Sequence, residues 1–384
     1  MSRTFTRTTQ SVDAIRAELT ERDAVHIYRP EMHTVPVYAG ARCFANYGAW
    51  YARRRVGFFM TRRSAQQSAT LQYSVFAHIH AGTTMRNDVI HPPGTHYDVR
   101  GHQLWVEQEG TGDPVLLLAG FGPAGSHLIF HPQFSALANQ YRVIYCDLYG
   151  RGRSERPSSV ADITFEGDVA DVAELIQVMK LGPVHLYGFS YGGLIAQQLA
   201  LSSPHLIRTV ALANTLHSPE MWQLNHVNIN QELANQYPDV WSRILRLRRE
   251  GIVSTDPRMQ QEFSVAARLV RFYNPDNASR LLSEPGSRNV ELYPAFCGSD
   301  IDFIIGGQLP SIPDFRPRLK EIKLPLLILA GRYDRALYPR LQQQFLDFAP
   351  GAKLKILERS GSFGHVEEPE TVFETLRAFW KEAG

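Results

Sequence analysis

The stretch Gly188-Phe189-Ser190-Tyr191-Gly192-Gly193 constrains this chain of 384 residues more than any other. It follows the apolar run at 184–187 directly and opens a second apolar run that reads as a helix over 192–201. A strand that becomes a helix across one serine flanked by glycines holds that serine in a strained turn, with its hydroxyl thrust outward. A side chain at Gly188 or Gly192 would collide across such a turn. The helix start behind it points free N–H groups at the same spot. The spacing therefore predicts a nucleophile elbow with Ser190 at its tip.

The surrounding text supports a sheet that could carry such an elbow. Apolar strands are predicted over 95–107, 115–118, 141–146, 184–189 and 209–214, with an amphipathic helix over 163–179. The pattern stops between 216 and 312, where Gln, Asn, Arg and aromatics dominate and helices are predicted over 240–249 and 259–272. It returns with strands over 324–330 and 353–357 and a final helix over 370–382. Strands alternating with helices predict an α/β fold, a mostly parallel central sheet with helices on both faces. The division expected is an amino-terminal extension (1–92), a first core part (93–215), a helical cap or lid (216–312) and a second core part (313–384).

A serine hydroxyl attacks a carbonyl only when a base takes its proton, and the base needs an orienting acid. In such a sheet these groups project from loops at the carboxyl ends of strands. Asp334 follows the strand over 326–330 in Gly331-Arg332-Tyr333-Asp334. His365 follows the strand over 353–357 in Ser360-Gly361-Ser362-Phe363-Gly364-His365. The order Ser190, Asp334, His365 is that of the sheet-borne triad. The Gly-rich turn 119–125 predicts an oxyanion hole from the backbone N–H groups of Phe121 and Tyr191. Asp147 to Ser154 is expected to support this loop.

Composition narrows the rest. The chain is 44% hydrophobic and 20% charged, which excludes a disordered protein, and its net charge of +2 gives no global sign of a polyanion partner. No run is long and apolar enough for a membrane span. Cys43, Cys146 and Cys297 are odd in number and form no CxxC pair, so a reducing, cytoplasmic setting is expected, with no disulfide framework and no zinc site. Neither cofactor nor metal is expected. Residues 1–100 hold 13 Arg and 7 acids, and aromatics interleave with arginines near 44–63. This reads as a helix docking its aromatic face; nucleic acid is not an expected partner.

These residues resemble the α/β-hydrolases over about 93–384, and among them the proline iminopeptidase group. The likeness rests on Gly188–Gly193, the Gly-Pro-rich loop into Gly125-Ser126-His127, Asp147 to Ser154, and Gly331-Arg332-Tyr333-Asp334. Ala119 stands where that group usually has His, and Arg335 where a Glu often follows the triad Asp. The resemblance implies a cofactor-free serine hydrolase working through an acyl-enzyme on a small molecule or short peptide. An iminopeptidase also needs lid carboxylates for the substrate ammonium, for which Glu262 and Asp302 are the first candidates, with Asp300 and Glu232 behind them. The alternative is an esterase, thioesterase-like or carbon–carbon bond hydrolase, with an apolar lid from Trp222, Trp241, Phe263 and Phe272. A second alternative is a ligand receptor that keeps the fold without chemistry.

Overall fold

Strand β5 (Val184–Phe189) is buried along its whole length, as its unbroken apolar sequence requires of a central parallel strand. Around it, the computed structural model describes residues 91–120, 122–298 and 304–383. Seven further strands complete one sheet: β1 (Gly94–Val99), β2 (His102–Glu109), β3 (Asp113–Leu118), β4 (Tyr141–Cys146), β6 (Ile207–Ala213), β7 (Leu326–Gly331) and β8 (Lys353–Leu357). Their spatial order is β1-β2-β4-β3-β5-β6-β7-β8. Pairings from β4 through β8 are parallel, while β2 runs antiparallel to both β1 and β4.

One expected strand, over 95–107, is two. Arg100 and Gly101 have φ of 53° and 88°, and this pair of left-handed residues folds the segment into the hairpin β1–β2.

Alternation along the parallel strands builds two cores. Leu116 and Leu118 pack on the face covered by helices α1 (Phe165–Val178) and α2 (Tyr191–Ser202). Val115 and Leu117 face the other side, against Phe373, Phe379 and Trp380 of the last long helix, Pro369–Glu382. Each such fully buried aliphatic side chain contributes about 1.5–3 kcal/mol.

Between β6 and β7 the chain is helical: α3 (Pro219–Gln236), α4 (Pro238–Arg249), α5 (Pro257–Arg271) and the short α6 (Leu292–Cys297). Proline opens each of the first three, where its missing N–H costs nothing. Ser218 and Asp256 cap α3 and α5 by accepting N–H bonds from Met221 and Arg258. Leu233, Val240, Ile244, Met259 and Val270 give this block a small core of its own.

No helix among the described residues is long and apolar enough to cross a membrane. Cys146 and Cys297 are free and buried. The basic, aromatic stretch near 44–63 lies outside the described residues, as does the expected extension apart from His91 and Pro92.

Candidate active site

Ser190 sits between β5 and α2 with φ 51° and ψ −116°, a left-handed backbone that a non-glycine residue adopts at a cost of about 1–3 kcal/mol. Its neighbours make the turn feasible. A Cβ on Gly192 would lie 2.1 Å from the Leu118 carbonyl, so the elbow closes against β3 only with glycine there. Ser190 N–H donates to Ala213 O (3.0 Å), and Thr215 Oγ1 donates to Ser190 O (2.6 Å). These bonds fix the serine at the carboxyl edge of the sheet. Tyr191 begins α2 directly after Ser190, and its N–H has no acceptor within the helix. Phe121, the other expected oxyanion donor, lies outside the described residues.

The oxyanion loop is braced from behind. Arg151, fully buried, donates Nε to Pro123 O (2.8 Å) and both Nη groups to Asp168 (2.7 Å each). Tyr191 Oη donates to the same carboxylate at 2.6 Å. Asp147 accepts the N–H groups of His127 and Arg153 (2.8 Å each), so the stretch after β4 supports this loop.

Asp334 lies just beyond β7 and is buried. Its Oδ1 accepts the N–H groups of Ala336 (2.9 Å) and Leu337 (2.8 Å). Its Oδ2 accepts from Asn214 Nδ2 (3.0 Å) and Ser362 Oγ (2.9 Å). The group that reaches the acid from the loop after β8 is a hydroxyl.

His365 is elsewhere, which corrects the expected triad. Its Nε2 donates to Ile129 O at 2.9 Å, and its Nδ1 is buried without a hydrogen-bond partner. The ring is enclosed by Phe130, Phe134 and Phe189, with centroids 5.4–5.7 Å away. Burial pushes its pKa from 6.5 down to about 4. The physical reason lies in the loop. Ser362 N–H is held by Arg271 O (2.7 Å), which delivers Ser362 to Asp334. Three residues later the helical turn Gly364–Glu367 carries His365 into the core on the far side.

The cavity over Ser190 is lined by Gly122, Asn214, Ser362 and Phe363, and on the lid side by Trp222, His226, Arg271 and Tyr293. It continues beneath the lid between Ile229, Leu233, Trp241, Phe263 and Val270, with His226 and Arg271 shared by both parts. Among the described residues His226 is the one imidazole lining the space around Ser190. Burial, then the nearby Arg271 charge, pushes its pKa down to about 3. Arg271 donates to Asn225 Oδ1 (3.3 Å), and no carboxylate among the described residues pairs with it.

The expected ammonium-binding acid Glu262 is a second correction. It accepts Arg243 Nε at 2.8 Å and does not line the cavity, because its face of α5 turns to α4. Glu232 is paired with Arg335 at 3.4 Å. Asp300 and Asp302 lie outside the described residues. Sequence reasoning missed His226, Arg271 and Tyr293, which carry no motif; it quoted Ser362 within its loop but not as the partner of Asp334.

One group of side chains among the described residues can meet a metal ion: His91, Glu107, His127 and His131. None of them lines the Ser190 cavity.

A sequence profile for the alpha/beta hydrolase fold matches residues 113–369. The chain is 28% identical to a proline iminopeptidase of Heyndrickxia coagulans, over 71% of this chain and 92% of that protein. It is 27% identical to a pimeloyl-[acyl-carrier protein] methyl ester esterase of Aeromonas hydrophila, over 71% of this chain and 98% of that protein. In fold it is similar to the crystal structure of a proline iminopeptidase of Mycobacterium smegmatis, with a TM-score of 0.62 and 20% identity. That likeness covers 76% of this chain and 98% of the other.

Proposed function

Because the chain belongs to the α/β-hydrolase fold family and is a hydrolase, we propose that it cleaves small, largely apolar acyl compounds that carry a carboxylate, with Ser190 as nucleophile. The observation that carries this reading is the charge over Ser190. The cavity presents Arg271, a cation with no acidic partner among the described residues, and continues into an apolar space under the lid. An arginine there binds a substrate carboxylate and repels an ammonium. Trp222, Trp241 and Phe263 in the lining suit an apolar acyl chain, and the similarity to a protein named as an ester esterase agrees with ester chemistry.

In this mechanism Ser190 Oγ attacks the ester carbonyl while its proton passes to the neutral imidazole of His226, which shares the cavity. The Tyr191 N–H, with the N–H expected from Phe121, takes up the oxyanion. A preorganised donor of this kind contributes about 3 kcal/mol to the transition state. The tetrahedral adduct collapses, the imidazolium returns its proton to the leaving alkoxide, and an acyl-serine remains. Water then attacks the acyl-serine by the same route, releasing the acid and restoring Ser190.

The test compares monomethyl half-esters of dicarboxylic acids with the corresponding neutral diesters and with a prolyl amide. Half-esters are expected to turn over fastest, and Arg271→Met is expected to raise their KM by about 10–100-fold, a charge-assisted hydrogen bond's worth, while leaving diesters unchanged. Equal rates on charged and neutral esters, or an indifferent Arg271→Met, would sink the assignment.

A second reading, a receptor that binds such acids without turning them over, is favoured by one observation: Asp334 is met by Ser362 instead of an imidazole. Absence of turnover and of fluorophosphonate labelling at Ser190, with tight binding of a dicarboxylic acid retained, would select it.

A further inference from the structure

We propose that His91, Glu107, His127 and His131 form a structural site for a divalent transition metal of the zinc type, which clamps the turn after β3 to β2. The site is separate from Ser190, and nothing in the reading above depends on it.

One ligand atom from each of the four residues can be chosen so that all lie within 4.8 Å of one another. His127 Nε2 is 3.2 Å from Glu107 Oε1, while His131 Nε2 and His91 Nδ1 are 3.1 Å and 3.3 Å from Oε2. Ligands held about 2.0–2.1 Å from a tetrahedral zinc ion stand about 3.3 Å apart. The spacings of His131 and His91 to Oε2 match those inside one ion's coordination shell, and His127 completes a set that lies together within 4.8 Å.

Burial supplies an independent argument. Glu107 is 0% exposed and both His127 and His131 are 1% exposed. Even so, both ring nitrogens of His127 and Nε2 of His131 make no well-aligned hydrogen bond, only close approaches to carboxylate oxygens. A buried polar atom left without a partner costs about 1–3 kcal/mol. Nε2 of His127 and of His131 stand beside one carboxylate, a donor set that a cation bound among them would satisfy.

The outer surroundings have the right chemistry. Asp147 Oδ1 lies 2.9 Å from His127 Nδ1, and Glu284 Oε1 lies 3.0 Å from His91 Nε2. A carboxylate behind a ligating imidazole fixes its tautomer and strengthens it as a donor. Arg153 Nη1 (2.8 Å) and Trp105 Nε1 (3.1 Å) both donate to Glu107 Oε1, which leaves Oε2 to the ion. Three imidazoles and a carboxylate without thiolate suit zinc or a neighbouring first-row divalent ion. Four protein ligands, three of them buried, leave no open position for substrate, which makes the site structural.

Topology shows what the ion would hold. Glu107 is on β2, and His127 and His131 bracket the 3-10 turn His127–Phe130 in the segment that also carries Gly122 to the Ser190 cavity. His91 joins from the irregular segment leading into β1. The sequence argument against zinc rested on the cysteines, and this set contains none.

The experiment uses the untagged full chain. It is stripped with a chelator, reloaded with Zn2+ or Co2+ and dialysed, and metal content, the visible spectrum and thermal unfolding are recorded. Expected are one tightly held Zn2+ per chain, tetrahedral Co2+ absorption bands, and a melting temperature that falls on chelation and recovers on reloading. Glu107→Gln with His131→Ala should lose all three. Should that pair not fold, His131→Gln alone should weaken Zn2+ retention at least tenfold and change the Co2+ spectrum. Failure of the wild type to retain metal after dialysis would overturn the proposal and leave a histidine–carboxylate network. Retention unaltered by either variant would overturn it as well, by placing the ion elsewhere.

Discussion

Replacing His365 by leucine separates an imidazole that performs chemistry from one that packs. In the structure the ring fills a space among Phe130, Phe134 and Phe189, with one nitrogen bonded to Ile129 O and the other unpartnered. Leucine fills much of that volume. It gives up one hydrogen bond, worth about 1 kcal/mol, and removes a buried nitrogen that had no partner, so stability at pH 7 should change little. The acid side is where the variant should differ. Burial holds the folded pKa at about 4 against an ordinary 6.5, so the unfolded chain binds the proton more readily. Stability therefore falls as pH drops through 6.5 and continues to fall until about pH 4. Between pH 7 and pH 5 this ring alone should cost the wild type about 2 kcal/mol. Urea unfolding at the two pH values should show a smaller acid loss in His365→Leu by that amount, since the other buried histidines are common to both proteins. Turnover of the best ester should stay within about threefold of wild type, under 1 kcal/mol. A collapse of turnover by about 10⁴-fold would place this imidazole at Ser190 after all. Superimposable acid profiles for the two proteins would show that the ring is not held neutral in the core.

Three further outcomes follow from the same geometry. His226→Ala should lower kcat by about 10²–10⁴-fold, and because the base must be neutral and its pKa is pushed down to about 3, wild-type kcat/KM should stay level from pH 7 to pH 5. An acid limb centred near 6.5 would contradict this. Asp168→Asn strands the buried Arg151 and removes a carboxylate from Tyr191, so urea unfolding should reveal a loss of about 3–5 kcal/mol; a loss under about 1 kcal/mol would show the brace to be idle. Glu262→Gln breaks a half-exposed pair with Arg243, worth under about 1 kcal/mol, and should leave KM unchanged for every substrate. A raised KM for prolyl amides alone would revive the aminopeptidase reading.

Sequence by itself determined the architecture and the run of central parallel strands. Strong apolar runs at near-regular spacing predict a parallel sheet, and the glycines around Ser190 leave the chain one way to turn from β5 into α2. Asp334 was legible for a related reason: a residue just past a buried strand must emerge at the sheet's carboxyl edge. The hairpin at Arg100-Gly101 was not legible, because arginine is not a usual turn residue, and here it takes a left-handed φ ahead of the glycine. Which side chain of the loop after β8 reaches Asp334 was decided by tertiary structure alone. Ser362 and His365 lie three residues apart, and a bond from Ser362 N–H to the lid's Arg271 carbonyl settles which of them faces the acid. The same holds for Arg271 and His226 over the nucleophile, and for His91, Glu107, His127 and His131. Periodicity tells which strand end or helix a residue occupies, whereas the direction of a side chain in a loop or on a lid depends on contacts with segments far away along the chain.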